Sequence, residues 1–127
     1  MGKLQDGQDI EFKGEKIKSS DATYEVKGKI IGYVADTEGC LNAEKIIENA
    51  DVAIMEATLI GAKEDKASEY KHMTAKQSAQ IALQANPKRL ILTHFSQRYK
   101  SVDELSDEAK EIFPETECAY DFMKIKL

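Results

Sequence analysis

Tryptophan is absent from this 127-residue chain, and proline, histidine and cysteine occur only twice each. Cys40 and Cys118 stand far apart and outside any C-x-x-C pattern, so neither a disulfide framework nor a thiolate zinc site is encoded. Both are expected as small core residues. No run approaches the ~18 consecutive apolar residues of a membrane-spanning helix, and no apolar signal region opens the chain. The expectation is a cytoplasmic protein with no membrane partner. Two histidines, His72 and His94, are too few to close a histidine-rich two-metal site, whose ions sit ~3.5–4 Å apart and need more ligands.

What is present suits one α/β domain over residues 1–127, with 42% hydrophobic residues to fill a core. The net charge of −5 argues against nucleic-acid binding by the whole surface, but the charge is unevenly spread. Residues 71–101 carry Lys71, Lys76, Lys88, Arg89, Arg98 and Lys100 and no acid at all, and both histidines fall in this block. It reads either as a chance cluster on a solvated surface or as an attractor for an anionic substrate such as a phosphodiester.

Residues 8–18 alternate around Gly14 as a short hairpin, and residues 23–26 alternate as a further strand. Ile30 to Val34, Val52 to Met55 and Arg89 to Thr93 are apolar runs of buried-strand type. Leu41 to Ala50 is an amphipathic helix burying Ala43, Ile46, Ile47 and Ala50. A charged loop over 61–71 precedes a helix from the capping box Thr74-x-x-Gln77 to Ala85, stopped at Asn86-Pro87. Ser101-x-x-Glu104 opens a last helix that ends at Pro114, and residues 117–127 read as one or two closing strands. The N-terminal third reads as strands without a helix. Strands alternating with helices imply a sheet covered by helices.

Ligands of such sheets sit beyond the carboxyl ends of the strands, and three apolar runs deliver polar side chains there: Asp36, Glu56 and His94. Asp36 is a turn residue or a hard anionic metal ligand. His94, followed by Ser96 and Arg98 in a polar loop, is where chemistry is expected. His72 precedes a helix start and is a cap-region residue or a functional one, with Glu56 as its orienting partner or simply a surface or N-capping acid. Thr58 and Thr93 receive no role.

Four ordered segments carry a resemblance: Tyr33-Val34-Ala35-Asp36-Thr37, Ala50-Asp51-Val52-Ala53-Ile54-Met55-Glu56-Ala57-Thr58, His72-Met73-Thr74-Ala75 and Leu92-Thr93-His94-Phe95-Ser96-Gln97-Arg98-Tyr99. Together they resemble ribonuclease Z, the tRNA 3′-processing endonuclease of the metallo-β-lactamase superfamily. The resemblance implies the C-terminal half of an αβ/βα sandwich, with a mixed sheet and covering helices. It implies two zinc ions bridged by Asp36, with His94 on one of them. It gives His72 the protonation of the departing 3′-oxygen, with Glu56 orienting it, and puts Thr37, Thr74, Ser96 and Arg98 at the substrate, a precursor tRNA.

The sequence departs from the family in Ala35 for glycine and in Met73 for a serine hydroxyl at the site's edge. It also lacks the family's His-x-His-x-Asp-His segment, a further ligand histidine and the arm that grips tRNA. The implied partner is therefore a missing N-terminal half or a second subunit, as in a homodimer formed through a bare sheet face. The chain alone is expected to bind zinc weakly and cleave little. The alternative reading is a non-catalytic α/β binding or assembly module. A receiver-like phosphate acceptor at Asp36 lacks the acidic pair and strand-end lysine it requires.

Overall fold

A computed structural model describes residues 2–127. The elements are α1 (Gly2–Gln5), β1 (Ile10–Phe12), β2 (Glu15–Ile17), α2 (Ser19–Ala22), β3 (Ile31–Val34), α3 (Leu41–Ile47) and β4 (Val52–Glu56). A 3₁₀ turn at Gly61–Lys63, α4 (Glu64–Glu69), α5 (Ala75–Ala85), β5 (Leu90–Thr93), α6 (Asp103–Ile112) and β6 (Thr116–Cys118) follow. Strands β3-β4-β5-β6 form a parallel sheet in chain order, and β1-β2 is a separate antiparallel hairpin turning at Lys13-Gly14. The class is α/β, with the two strand directions divided between two sheets.

The main sheet has one helix-covered face. Ala53 with Leu90, and Val34 with Met55 and Leu92, pair across the strands and share a core with Ala43, Ile47, Ala79, Ala82, Leu105 and Ala109 of the three longer helices. Gly32 lets α3 lie directly on β3: a Cβ there would sit 2.7 Å from the Ile46 carbonyl oxygen and 2.9 Å from the Ile47 Cα. The alternate residues Ile31, Tyr33 and Ile54 point to the other face, where Ile31 and Tyr33 are more than half exposed. Val52 and Ile91 on that face are buried, and Lys126 and Leu127 lie beside Val52.

Helix α5 begins as its capping box predicts. Thr74 Oγ1 accepts from the Gln77 amide, and Gln77 Oε1 accepts from the Thr74 amide at 2.9 Å. It ends on Asn86 in the left-handed region, before Pro87.

Several expectations are corrected. Residues 23–26 form no strand, and Tyr24 and Val26 stand in solvent because no described strand pairs with them. The N-terminal third contains α1 and α2. Ile46 is half exposed, since the stripe of α3 that meets the sheet is Ala43 and Ile47. The 61–71 segment is largely helical. The Ser101 hydroxyl accepts from the Asp103 amide, two residues on, so the second capping box does not form. Closing strand β6 starts at Thr116 and spans three residues. Cys40 is exposed as the residue before α3, whereas Cys118 packs against the core.

The amino-end edge of the sheet is tied by Asp51. Its carboxylate accepts from the Ile30 amide at 2.9 Å and pairs with Lys88 at 2.7 Å and Lys29 at 3.5 Å. The Lys88 hydrogen bond, the Ile30 amide and Lys29 hold its carboxyl down from 3.8 to about 2. A depressed carboxyl stabilises the fold above its unfolded pKa and loses that contribution as pH falls from near 4 towards 2. Asp51→Asn is expected to flatten this part of the acid-unfolding profile followed by circular dichroism; an unchanged acid limb would count against the tie. Gly32→Ala is expected to cost about 1–3 kcal/mol in urea unfolding, because the atoms it meets are backbone of α3 and cannot move aside alone. Wild-type stability would show that α3 has slack here.

Candidate metal centre

Three parallel strands end side by side, and the backbone turns sharply after two of them. Asp36 and His94 adopt left-handed conformations, with φ of 57° and 58°, a region that Asp and His enter more readily than most residues. These turns swing both side chains over the end of β4, where Glu56 is fully buried. His72 arrives from the other side: the chain leaves α4, reverses at Lys71 with φ of 62°, and the His72 amide donates to the Ala67 carbonyl.

Glu56 is fixed by backbone. One carboxylate oxygen accepts from the Met73 amide at 2.5 Å and the other from the Thr37 amide at 3.1 Å. The Ser78 hydroxyl donates to the Glu56 carbonyl at 2.5 Å, pinning β4 to α5. The Met73 side chain takes no part in this bond, which the backbone amide makes. The Met73 side chain turns away from the site's edge into the core, with its sulfur 3.8 Å from the Ser78 hydroxyl.

Around this anchor the polar atoms converge. His72 Nδ1 lies 3.4 Å from Asp36 Oδ1 and 3.5 Å from Glu56 Oε1, while His94 Nδ1 lies 3.5 Å from Glu56 Oε2. One ligand atom from each of Asp36, Glu56, His72 and His94 falls within 4.8 Å of the others. His72 Nδ1 is buried and has no hydrogen-bond partner among the described residues. Two imidazoles and two carboxylates are a donor set that suits zinc, so the residues present fit a divalent metal ion.

The other predicted residues divide. Thr37 joins the cluster through its amide, and its hydroxyl is 3.1 Å from the Glu38 carbonyl. Arg98 Nε donates to the Ser96 hydroxyl, and with Thr58, Leu59, Tyr70 and His72 these two line a cleft of about 340 Å³. Thr74 is buried, with its hydroxyl engaged as the cap of α5. The basic block is also divided. Lys88 and Arg89 pair with Asp51 and Glu117 away from the cluster, and Lys71 pairs with Glu38.

Thr58 went unassigned in the sequence yet holds His94, its hydroxyl 3.1 Å from both Nδ1 and the His94 carbonyl. With Thr58 and Glu56 at Nδ1, Nε2 is the ring nitrogen left to a ligand. Two further anchors were missed: Tyr99, whose hydroxyl accepts from the Ile60 amide, and Glu108, whose carboxylate accepts from the Gly61 amide. Thr58 follows Glu56 at a strand end, a position that offered a signal; Glu108 lies 47 residues from its partner and offered none.

Ligand-type side chains gathered past the carboxyl ends of parallel strands stand where α/β sheets bind their ligands. Residues 12–95 match the β-lactamase superfamily domain, and the chain belongs to that superfamily. Within it, the chain is similar to proteins named ribonuclease Z: 42% identical to that of Bacillus cereus over 94% of this chain and 40% of the relative, and 47% identical to that of Bacillus licheniformis over 76% and 32%. The structure of human tRNase Z, short form, superposes with a TM-score of 0.62 at 34% identity, over 87% of this chain and 36% of that one. The metallo-β-lactamase fold protein YhfI from Bacillus subtilis gives 0.63 at 27% identity, over 69% and 35%. The chain thus spans a third to two fifths of the length of these curated relatives.

Glu56→Gln tests the anchor. The amide keeps the shape but sets an NH2 group against a buried backbone N–H, and an unsatisfied buried donor costs about 1–3 kcal/mol. Urea unfolding is expected to report a loss of that size, together with faster amide exchange at Met73 and Thr37. Unchanged exchange at both amides would refute the anchoring role.

Proposed function

We propose that this chain is the C-terminal half of a zinc-dependent endoribonuclease that removes 3′ trailers from precursor tRNA in the cytoplasm. The convergence of Asp36, Glu56, His72 and His94, in a chain whose curated relatives are named ribonuclease Z, carries this reading. Asp36 and His94 hold metal. Zinc, when bound, supplies Lewis acidity that activates water for attack at phosphorus.

The remaining residues act on the substrate. His72 stands on the wall between the Ser96–Arg98 cleft and a second cleft of about 440 Å³ lined by Glu38, Cys40, Gln77 and Gln80. From there it hands a proton to the 3′-oxygen as the P–O bond breaks. Glu56 keeps the ring facing the site. Arg98, steadied by Ser96, offers its planar guanidinium to a backbone phosphate, and the Thr37 loop borders the opposite side.

The ligand set of the wider family is incomplete here, so the active species includes an N-terminal portion. That portion, or a second copy of this chain in its absence, seats on the helix-free face at Ile31 and Tyr33. The isolated chain is accordingly inactive.

The test is a chimera in which this chain replaces the matching segment of Bacillus cereus ribonuclease Z, assayed for 3′ cleavage of a precursor tRNA. Cleavage is expected, with a loss of about 10²-fold or more in kcat for His72→Ala, in line with removal of general acid catalysis. The chain alone is expected to release no trailer. A folded chimera that binds zinc but leaves precursor tRNA intact would favour the non-catalytic module instead.

A further inference from the structure

We infer that in this chain on its own Asp36, Glu56, His72 and His94 close around a single divalent cation, with His72 and Glu56 serving as direct ligands. The inference rests on the reading above that Asp36 and His94 are metal ligands, and it assigns the other two residues a second role.

Distances carry the argument. Four ligand atoms held ~2.0–2.2 Å from one ion at tetrahedral angles lie ~3.3–3.6 Å from each other. His72 Nδ1 stands 3.4 Å from Asp36 Oδ1 and 3.5 Å from Glu56 Oε1, already at that spacing. The other ligand-atom separations do not exceed 4.8 Å. Asp36 is mostly exposed and free to rotate inward, and His94, held by Thr58 at Nδ1, offers Nε2. Glu56 and His72 need no such movement.

Charge and valence agree. A carboxylate has about four lone-pair directions, and the two backbone amides on Glu56 use two of them. Among the described residues no lysine or arginine pairs with Glu56 or Asp36; their charged neighbours are the two imidazoles. A dication, two carboxylates and two neutral imidazoles sum to zero, which removes the cost of a buried anion with no cation beside it. The orphaned Nδ1 of His72 gains the partner it lacks. In this state the ion holds the ring nitrogen of His72 that faces the site, so the isolated chain stores its ion in a closed, inactive form. A further ligand set arriving from outside would draw Asp36 and His94 away and release His72.

The experiment is a zinc titration of the purified chain, following imidazole ¹⁵N resonances, with Co²⁺ absorption as a second readout. One equivalent is expected to saturate binding, both His72 and His94 resonances are expected to move together, and Co²⁺ is expected to show the intense visible band of four-coordinate sites. His72→Ala is expected to weaken zinc binding as much as His94→Ala, by roughly a hundredfold or more, beyond the loss from a merely supporting residue. Resonances of His72 that stay fixed while His94 moves would overturn the inference, as would wild-type affinity in a folded His72→Ala chain. The chimera's cleavage reads the endonuclease separately. An active chimera with a silent His72 sinks only the single-ion cage; a zinc-saturated cage with an inactive folded chimera sinks only the endonuclease.

Discussion

The carboxylate of Glu56 is the constraint on which the site depends. A fully buried anion is costly unless its lone pairs are met, and here they are met by amides of two loops distant in sequence, at Thr37 and Met73. Those loops carry Asp36 and His72, the residues adjacent to the two amides. Satisfying the Glu56 charge therefore places both side chains at once. The strand's own carbonyl is held by Ser78, so the anchor is also tied to the packing of α5 against the sheet. Packing, backbone satisfaction and site geometry become one condition.

Strain supplies the directions that sheet geometry alone cannot. A strand points successive side chains up and down, whereas the cluster needs them to converge past the strand ends. Left-handed backbone at Asp36, His94 and Lys71 makes that turn three times. Such conformations persist only when surroundings over-determine them. Thr58 on His94, the Thr37 amide beside Asp36, and the Lys71–Glu38 pair provide those restraints. Asn49 and Asn86 use the same region merely to end helices, so the conformation marks a site only where a ligand-type side chain stands there.

Much of this was legible in residue order. Continuous apolar runs gave β3, β4 and β5, the pattern of strands covered on both faces, although Ile31 and Tyr33 of β3 stand exposed. The Thr74–Gln77 spacing located the start of α5 to the residue, since both halves of a capping box are local. Non-local features were hidden. Residues 23–26 have strand alternation, but a strand exists only with a partner, and none is there among the described residues. The cationic block looked continuous in sequence, yet β5 carries its members to opposite ends of the sheet. Thr74 matched a substrate-site position while its hydroxyl was already committed to a helix cap. The burial of Glu56 and its amide partners required the fold itself.

The exposed sheet face and the most exposed ligand-type side chain meet at β3. This edge strand presents Ile31 and Tyr33 to solvent on its helix-free side, and two residues past its end it delivers Asp36. Anything that packs on the exposed apolar row comes up beside the most exposed of the four potential ligands. Apolar burial at Ile31 and Tyr33 and metal ligation at Asp36 would then be linked free energies, each favouring the other, because a metal site organised by packing binds in proportion to how much packing is in place. The four-residue cluster centred on Glu56 is the part of this arrangement that the sheet and its loops build by themselves.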